Sequence, residues 1–483
     1  MIFQKICLLC LCAVVSAFFA NAQQENINFS SISTKNGLSS NTVSAILKDR
    51  YGLIWFATED GLNKFDGTNF TIYRQTPGDS SSLQANEILS LHEDKAGNLW
   101  IGTSGGSLSL YNRKKDTFIN FPSGKEPDKI KNNVIRSLTS DHLGNIWIGH
   151  FSGMNILNPK TKQITRLYFN SGSSDSLFTK SVTYILEDSQ RRIWIGTNEG
   201  LFQYNPKTKF LKEYLHSSND TSSLSGNHVN AITEDKKGNL WIATFGGLSL
   251  LQPGKSSFIN YSRRHHGNSL ASNVISSIVA DGDTLWLGTM AGLNLFNTRT
   301  GHISHFAPDP RDIHSLNAQA VRCIYSDGQG IYWLGTFGGG VNKYDKNLTL
   351  FNLVKSNVFD EQGLKASVVK AFAEDENGNV YVGTGGAGLS LFHRKTKLFQ
   401  HFKIKSKRDG AGERLSILSM KMTPAGKLAI GTFTDGLFVF DPASGKYQQH
   451  LQGPGSEDLN NNDIYCISSD RKGNLWIGTN GAG

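Results

Sequence analysis

The sequence predicts an all-β chain: a seven-bladed β-propeller of four-stranded antiparallel blades, followed by an incomplete second propeller. Three observations predict it. Tryptophan recurs at Trp55, Trp100, Trp147, Trp194, Trp241, Trp286, Trp333 and Trp476, with gaps of 45, 47, 47, 47, 45 and 47 residues and then one of 143, close to three further periods. An Asp-x-x-Gly turn precedes most of these tryptophans. Each period also holds four short apolar stretches divided by turn residues. Four antiparallel strands in about 47 residues make one propeller blade.

The strands can be read in order from residues 86–111, NEILSLHEDKAGNLWIGTSGGSLSLY. EILSLHE alternates as a half-buried strand, DKAGN turns, LWIGT is a second strand, and SLSLY is a third after a glycine break. TFINF, beyond NRKKD, is the fourth. Asp stands six residues before the tryptophan slot at Asp49, Asp94, Asp141, Asp188, Asp235, Asp327, Asp375 and Asp470. Its carboxylate is expected to close the turn on backbone N–H groups, with a positive-φ glycine three residues on. Two residues after the tryptophan a Gly or Ala lets neighbouring blades approach, while the indole fills the wedge between them. Thr follows in every repeat except one, which has His150. Two repeats keep the frame without tryptophan, at Tyr381 and Ala429, so ten repeats begin.

Ten repeats exceed one ring, since propellers usually close with four to eight blades. The expected division is therefore residues 1–22 as a signal peptide, 23–355 as a complete seven-bladed propeller, and 356–483 as the first three blades of a second, the last incomplete. An open ten-blade array is the alternative. The N-terminal segment ENINFSSI resembles the fourth strands TNFTIY and DTFINF, and is expected to complete the seventh blade and so close the ring. Lys5, the apolar run Ile6–Phe19 and Ala20-Asn21-Ala22 form the leader, with cleavage expected after Ala22. Its apolar run is short for a membrane span.

The composition is 38% apolar and 18% charged, with 50 Gly and 11 Pro, which suits a folded, turn-rich chain. The net charge of +9 is mild for 483 residues. With no basic cluster, nucleic acid is not an expected partner. Beyond the leader, Cys323 and Cys466 hold one slot in different repeats and are read as small buried residues, not a disulfide. No Cys/His set has ligand spacing, so no metal and no cofactor are expected.

The stretch Leu224–Leu248, LSGNHVNAITEDKKGNLWIATFGGL, resembles the two-component regulator propeller repeat, and ten in-phase copies cover the chain from about Leu38. The resemblance implies the periplasmic sensor region of a hybrid two-component histidine kinase. In that family two propellers precede a β-sandwich, a membrane span and a kinase, and many members sense oligosaccharides to switch on polysaccharide-utilisation genes. This chain has no kinase histidine box and no nucleotide-binding glycine motif. Phosphotransfer and membrane attachment are thus expected of a missing C-terminal region. A homodimer of the intact protein is compatible with this organisation.

Ligand specificity should sit where the repeat breaks its own rule, because frame residues are already explained by folding. In the loops joining second to third strands those residues are Glu59, Asp60, His150, Phe151, Asn198, Glu199, Phe245, Met290 and Phe337. Aromatics stack on sugar faces, and carboxylates and amides bond hydroxyls. A second polar ring, Asn41, Asn86, Asn133, Lys180, Asn227, Asn273 and Gln319, precedes the first strands and reads equally well as turn formers. No catalytic residue is assigned. The competing readings are a secreted propeller glycosidase or lyase, for which Glu59, Asp60 and Glu199 form no recognisable acid pair, and a protein-interaction platform, for which the WD dipeptide is missing.

Overall fold

A computed structural model describes residues 27–166, 180–263, 268–350, 354–357, 359–408, 415–470 and 472–481. The leader expected at 1–22 lies outside them. The described residues fall into two compact units, divided between Leu348 and Thr349.

The first unit is built from seven four-stranded antiparallel sheets. Blade 1 runs Val43–Lys48, Ile54–Thr58, Gly61–Phe65 and Phe70–Tyr73. Blades 2 to 6 repeat this order, with first strands Ile88–Glu93, Ile135–Ser140, Val182–Glu187, Val229–Glu234 and Ile275–Asp281. Blade 7 takes three strands from Val321–Ser326, Ile331–Thr336 and Val341–Asp345. Its fourth is Ser30–Ile32, which pairs antiparallel as Ser30 with Lys343, Ser31 with Asn342 and Ile32 with Val341. Each first strand neighbours the first strands of the blades on either side, and that of blade 7 neighbours that of blade 1. The first strands therefore line the axis of a closed seven-bladed propeller, whose sheets leave no blade short of an edge partner.

The aspartate turn does more than close a hairpin. Asp49 Oδ1 accepts the backbone N–H of Tyr51 and Leu53 (3.0 Å each), while Oδ2 accepts the indole Nε1–H of Trp55 (2.8 Å). The same indole bond recurs from Trp100 to Asp94 (3.0 Å), Trp147 to Asp141 (3.0 Å), Trp194 to Asp188 (2.8 Å) and Trp241 to Asp235 (2.9 Å). The six-residue spacing thus ties the turn to the wedge between blades. Asp94 shows the electrostatic result. Burial pushes its carboxyl up, but hydrogen bonds from Trp100, Asn98 and backbone N–H groups outweigh that and hold it below the usual carboxylate range.

Blade 6 solves the problem differently. Its turn is a tight Asp281–Thr284 hairpin, with no Asp six residues before Trp286. Tyr332 from blade 7 instead stacks on Trp286, with centroids 3.9 Å apart and planes at 14°, and its hydroxyl donates to Asp281.

The second-strand glycines are required by contact. A Cβ on Gly149 would lie 2.6 Å from Val182 Cγ1, and one on Gly288 would lie 2.5 Å from Ser277 Oγ and 2.9 Å from Val321 Cγ1. Val182 and Val321 begin the first strands of the following blades. The blade interfaces are apolar: Trp100, for example, packs with Ile130, Ile135, Ile146 and Ile148.

The second unit contains two complete blades, with first strands Val369–Glu374 and Ile417–Met422, and a two-stranded pair, Ile464–Ser469 with Leu475–Thr479. Tyr381 and Ala429 occupy the tryptophan slot of the complete blades, and both are buried. Trp476, in the two-stranded pair, is 66% exposed. The two cysteines are free. Cys323 packs against Gly335 and Val43, and burial pushes its thiol up to about 12. The expectation of a buried residue needs correction for Cys466. It is exposed, beside Gly478 of its own two-stranded pair, whereas Cys323 has Val43 of the neighbouring blade against it.

Candidate functional site

In a blade, the loop from second to third strand opens on the same face as the connection into the first strand. Hydrogen bonds fasten these two segments together. The residue after the Thr slot donates its N–H to the carbonyl just before its own blade's first strand: Ser104 to Glu87, Phe151 to Val134, Asn198 to Ser181, Phe245 to His228, Met290 to Val274 and Phe337 to Ala320. These side chains are therefore held beside the innermost strands, around the mouth of the axial channel.

The Thr slot itself belongs to the frame. Thr58 Oγ1 donates to the Gly61 carbonyl (2.9 Å) and accepts from the Asp60 N–H (3.2 Å), and Thr197 and Thr289 do the same in blades 4 and 6. His150 performs this job in blade 3, with Nδ1 accepting the Ser152 N–H (3.3 Å) and Nε2 bonded to Asn155 Oδ1 (3.0 Å). It is wholly buried, and burial pulls its imidazole down to about 4. His150 is accordingly removed from the ligand set, since no face of it reaches solvent.

Of the remaining candidates, Phe151, Phe245, Met290 and Phe337 stand exposed around the mouth, at 58%, 48%, 51% and 59%. Phe245 stacks flat on His228, at 3.9 Å and 5°. Asp60 is held outward by a two-pronged pair with Arg74 (3.1 and 2.8 Å). Glu199 lies 3.4 Å from Lys180, and Asn198 Oδ1 accepts the Ser181 N–H (2.9 Å). Glu59 lies 3.5 Å from Arg322. Glu59 and Phe337 are thus brought together through one arginine, whereas Asp60 is turned away from it. In the second ring, Asn41, Asn86, Asn227 and Asn273 use their side-chain oxygens to cap the N–H groups of Thr34, Gln75, His216 and Arg263. They act as turn formers. Among the described residues, no group of three or more His, Cys, Asp or Glu side chains could hold a metal ion.

Reading the loops alone misses three residues: Arg136, His228 and Arg322. Arg136 and Arg322 each follow the buried Ile135 and Val321 that begin their first strands, at the point where a bulge shifts the register. Arg322 lies over the Phe337 ring, 5.8 Å from its centroid. Burial lowers the proton affinity of Arg136, the positive charge of Arg322 lowers it further, and Glu87 partly offsets both. His228 is pulled down by burial and by Arg136. For the two arginines, a departure from the repeat one residue past the apolar start of the first strand was the available signal; His228 stands one residue before Val229, outside that slot. On the opposite face, a cleft of about 280 Å³ between blades 4 and 5 is lined by Arg192, Lys212, Tyr214 and Lys255 among others.

The profile of the two component regulator propeller matches residues 37–60, 82–105, 176–199, 223–246, 315–338, 363–386 and 458–481. Seven segments of this chain are two component regulator propeller repeats. The repeats without a match are those of His150, of the tight Asp281–Thr284 turn and of Ala429, where the frame residues differ. A solved structure described as the extracellular domain of a hybrid two component system from B. thetaiotaomicron is 26% identical, with a TM-score of 0.62, and the match covers 95% of this chain and 64% of that one. A second such domain from the same organism, 22% identical with a TM-score of 0.53, covers 95% of this chain and 58% of its own, and shares the fold. A histidine kinase of Formosa agariphila, named P4, is 46% identical over 67 residues, which is 14% of this chain and 5% of the kinase. The regulator-propeller chain thus spans less than two thirds of these relatives. It is homologous to extracellular sensor domains of two-component systems. Among the described residues no helix is long and apolar enough to cross a membrane.

Proposed function

We propose that this regulator-propeller chain is the periplasmic input region of a hybrid two-component histidine kinase and response regulator system. On this reading residues 1–22 direct its export, and a region outside this chain attaches it to the inner membrane and carries the kinase. The ligand is an oligosaccharide, whose arrival regulates polysaccharide-utilisation genes. The observation that carries the ligand reading is the set of exposed rings Phe151, Phe245 and Phe337 around the channel mouth, beside the polar groups of Glu59, Asn198 and Arg322. Ring faces that a folded blade does not need are suited to stacking on pyranose faces, and the polar groups to bonding hydroxyls.

A non-enzymatic reading is supported by the carboxylates. Glu59, Asp60 and Glu199 are each engaged by a different cation, Arg322, Arg74 and Lys180, whereas a glycosidase aims two carboxyl groups at one bond. The test is calorimetric titration of the purified chain with oligosaccharides from a range of polysaccharides. Saturable heat with an unaltered sugar is expected. Sugars cleaved during the titration would overturn the sensor reading in favour of a glycan-active enzyme.

A further inference from the structure

Blades 3 and 7 share a departure from the repeat that the other five lack. Each places a phenylalanine after the Thr slot, Phe151 and Phe337, and an arginine second in its first strand, Arg136 and Arg322; blade 5 shares only the phenylalanine, Phe245, and sets His228 one residue before its first strand. The other blades place Ser44, Leu89, Thr183, Asn230 and Ser276 at the arginine position. Thr183 donates to the Val229 carbonyl of the next blade, and Asn230 donates to the Ile275 carbonyl (2.7 Å). Ser44 and Ser276 are small. Arg136 makes no such bond and, among the described residues, no ion pair. Arg322 holds Glu59 through a single nitrogen at 3.5 Å, leaving most of its five N–H donors for another partner.

Arg136 and Arg322 hold the same register position on innermost strands of one closed ring, so both guanidinium groups belong to the channel mouth. Partial burial and the positive charge of Arg322 work against the charged form of Arg136, with Glu87 acting the other way, and a bound anion would favour that form. Arginine's planar fork matches a carboxylate or a sulfate in a two-pronged way that lysine cannot reproduce. The flat His228–Phe245 stack and the Phe337 ring under Arg322 set ring faces beside the cations. A free inorganic anion would have no use for these faces.

We propose that the channel mouth of the first propeller binds an acidic oligosaccharide, with Arg136 and Arg322 gripping its anionic group and Phe245 and Phe337 stacking on its rings. This rests on the oligosaccharide reading above and narrows it. The anionic group is a carboxylate or a sulfate ester.

The test uses the full chain and four probes in matched pairs: oligogalacturonates with their methyl esters, and sulfated galactan oligosaccharides with their desulfated forms. Binding of either charged member is expected to exceed that of its neutral partner tenfold or more. The preferred pair then identifies carboxylate or sulfate. Affinity should fall about 10- to 100-fold in R136Q and in R322Q, since a hydrogen bond to a charged group is worth about 1.5–3 kcal/mol. It should fall less in R136K and R322K, which keep the charge, and should weaken as salt rises. Unchanged melting temperatures of these variants separate lost binding from lost folding. Neutral sugars binding as well as their charged partners, or charged sugars indifferent to both glutamine variants, would overturn the acidic-ligand inference and leave a sugar sensor standing. No binding by any of the four would overturn the oligosaccharide reading with it.

Discussion

Asparagine in place of Asp94 keeps the side chain's size and removes one acceptor oxygen. In the native turn Oδ1 accepts the N–H groups of Ala96 and Asn98 (2.9 Å each), and Oδ2 accepts Asn98 Nδ2 (2.8 Å) and Trp100 Nε1 (3.0 Å). Asparagine has one oxygen for these four donors, and its amide nitrogen brings two more. If its oxygen serves the turn, the Trp100 N–H, on a ring 1% exposed, loses its acceptor. An unpaired buried donor costs about 1–3 kcal/mol, and losing the charge-assisted bonds adds about 1 kcal/mol. The expected loss is about 2–4 kcal/mol. At roughly 2 °C per kcal/mol for a unit of this size, the melting temperature should drop by about 4–8 °C.

Scanning calorimetry and urea unfolding of the purified chain measure this, and a W100F background supplies the control. Phenylalanine has no N–H to orphan, so D94N should cost about 1–2 kcal/mol less there. An equal cost in both backgrounds would refute the claim that the carboxylate stabilises the wedge through the indole. The pH dependence has a definite sign. The Asp94 pKa is lowered by folding, so its contribution is fully present above its unfolded value near 4 and is lost as pH falls through the folded value. D94N should flatten that acid limb.

Three further outcomes are expected. H150T installs the residue that other blades use to close the same loop. Native His150, pulled down by burial from 6.5 to about 4, stabilises fully above pH 6.5 and loses on the order of 3 kcal/mol as pH falls from there toward 4, so the variant's denaturation midpoint should vary less across that interval. A Cβ at Gly149 would meet Val182 at 2.6 Å, so G149A should cost about 1 kcal/mol, the low end for overpacking because Ala57 and Ala243 are tolerated in the same slot, and G149V should cost about 3 kcal/mol or more by chemical denaturation. F29A empties a side chain that is 2% exposed beside the closing strand and packed against Tyr344; a cost of about 3–5 kcal/mol in urea is expected, and a cost under 1 kcal/mol would show that ring closure does not depend on that anchor.

The blades were legible because each of their needs recurs. A turn needs an acceptor and a positive φ, a wedge needs a large ring, and a close approach needs a small residue; Asp94, Gly97, Trp100 and Gly102 meet these within nine residues. The Asp-to-indole bond was present in the spacing as well, but spacing alone does not say which way a carboxylate's second oxygen faces. Blade 6 was harder, because its wedge is completed by Tyr332, which lies 46 residues beyond Trp286 and belongs to the next blade. The ligand face was partly legible. The loops pointed to Phe151, Phe245, Met290 and Phe337, which are exposed, but they also pointed to His150, which is buried. A histidine in place of a threonine breaks the pattern equally whether it turns outward to solvent or inward to Asn155, and only the packed blade selects between these.

By itself the chain's order of residues determined the periodic unit, its strand order and the polar chemistry of its turns, since those depend on neighbours a few residues apart. The tertiary structure decided which departures from the repeat meet one another. Arg136 and Arg322 are 186 residues apart along the chain, yet they share one channel mouth, because closing the ring brings every first strand to one axis. Separation along a polypeptide carries no information about separation across a channel, and the electrostatics of the mouth come into being only when the last blade meets the first.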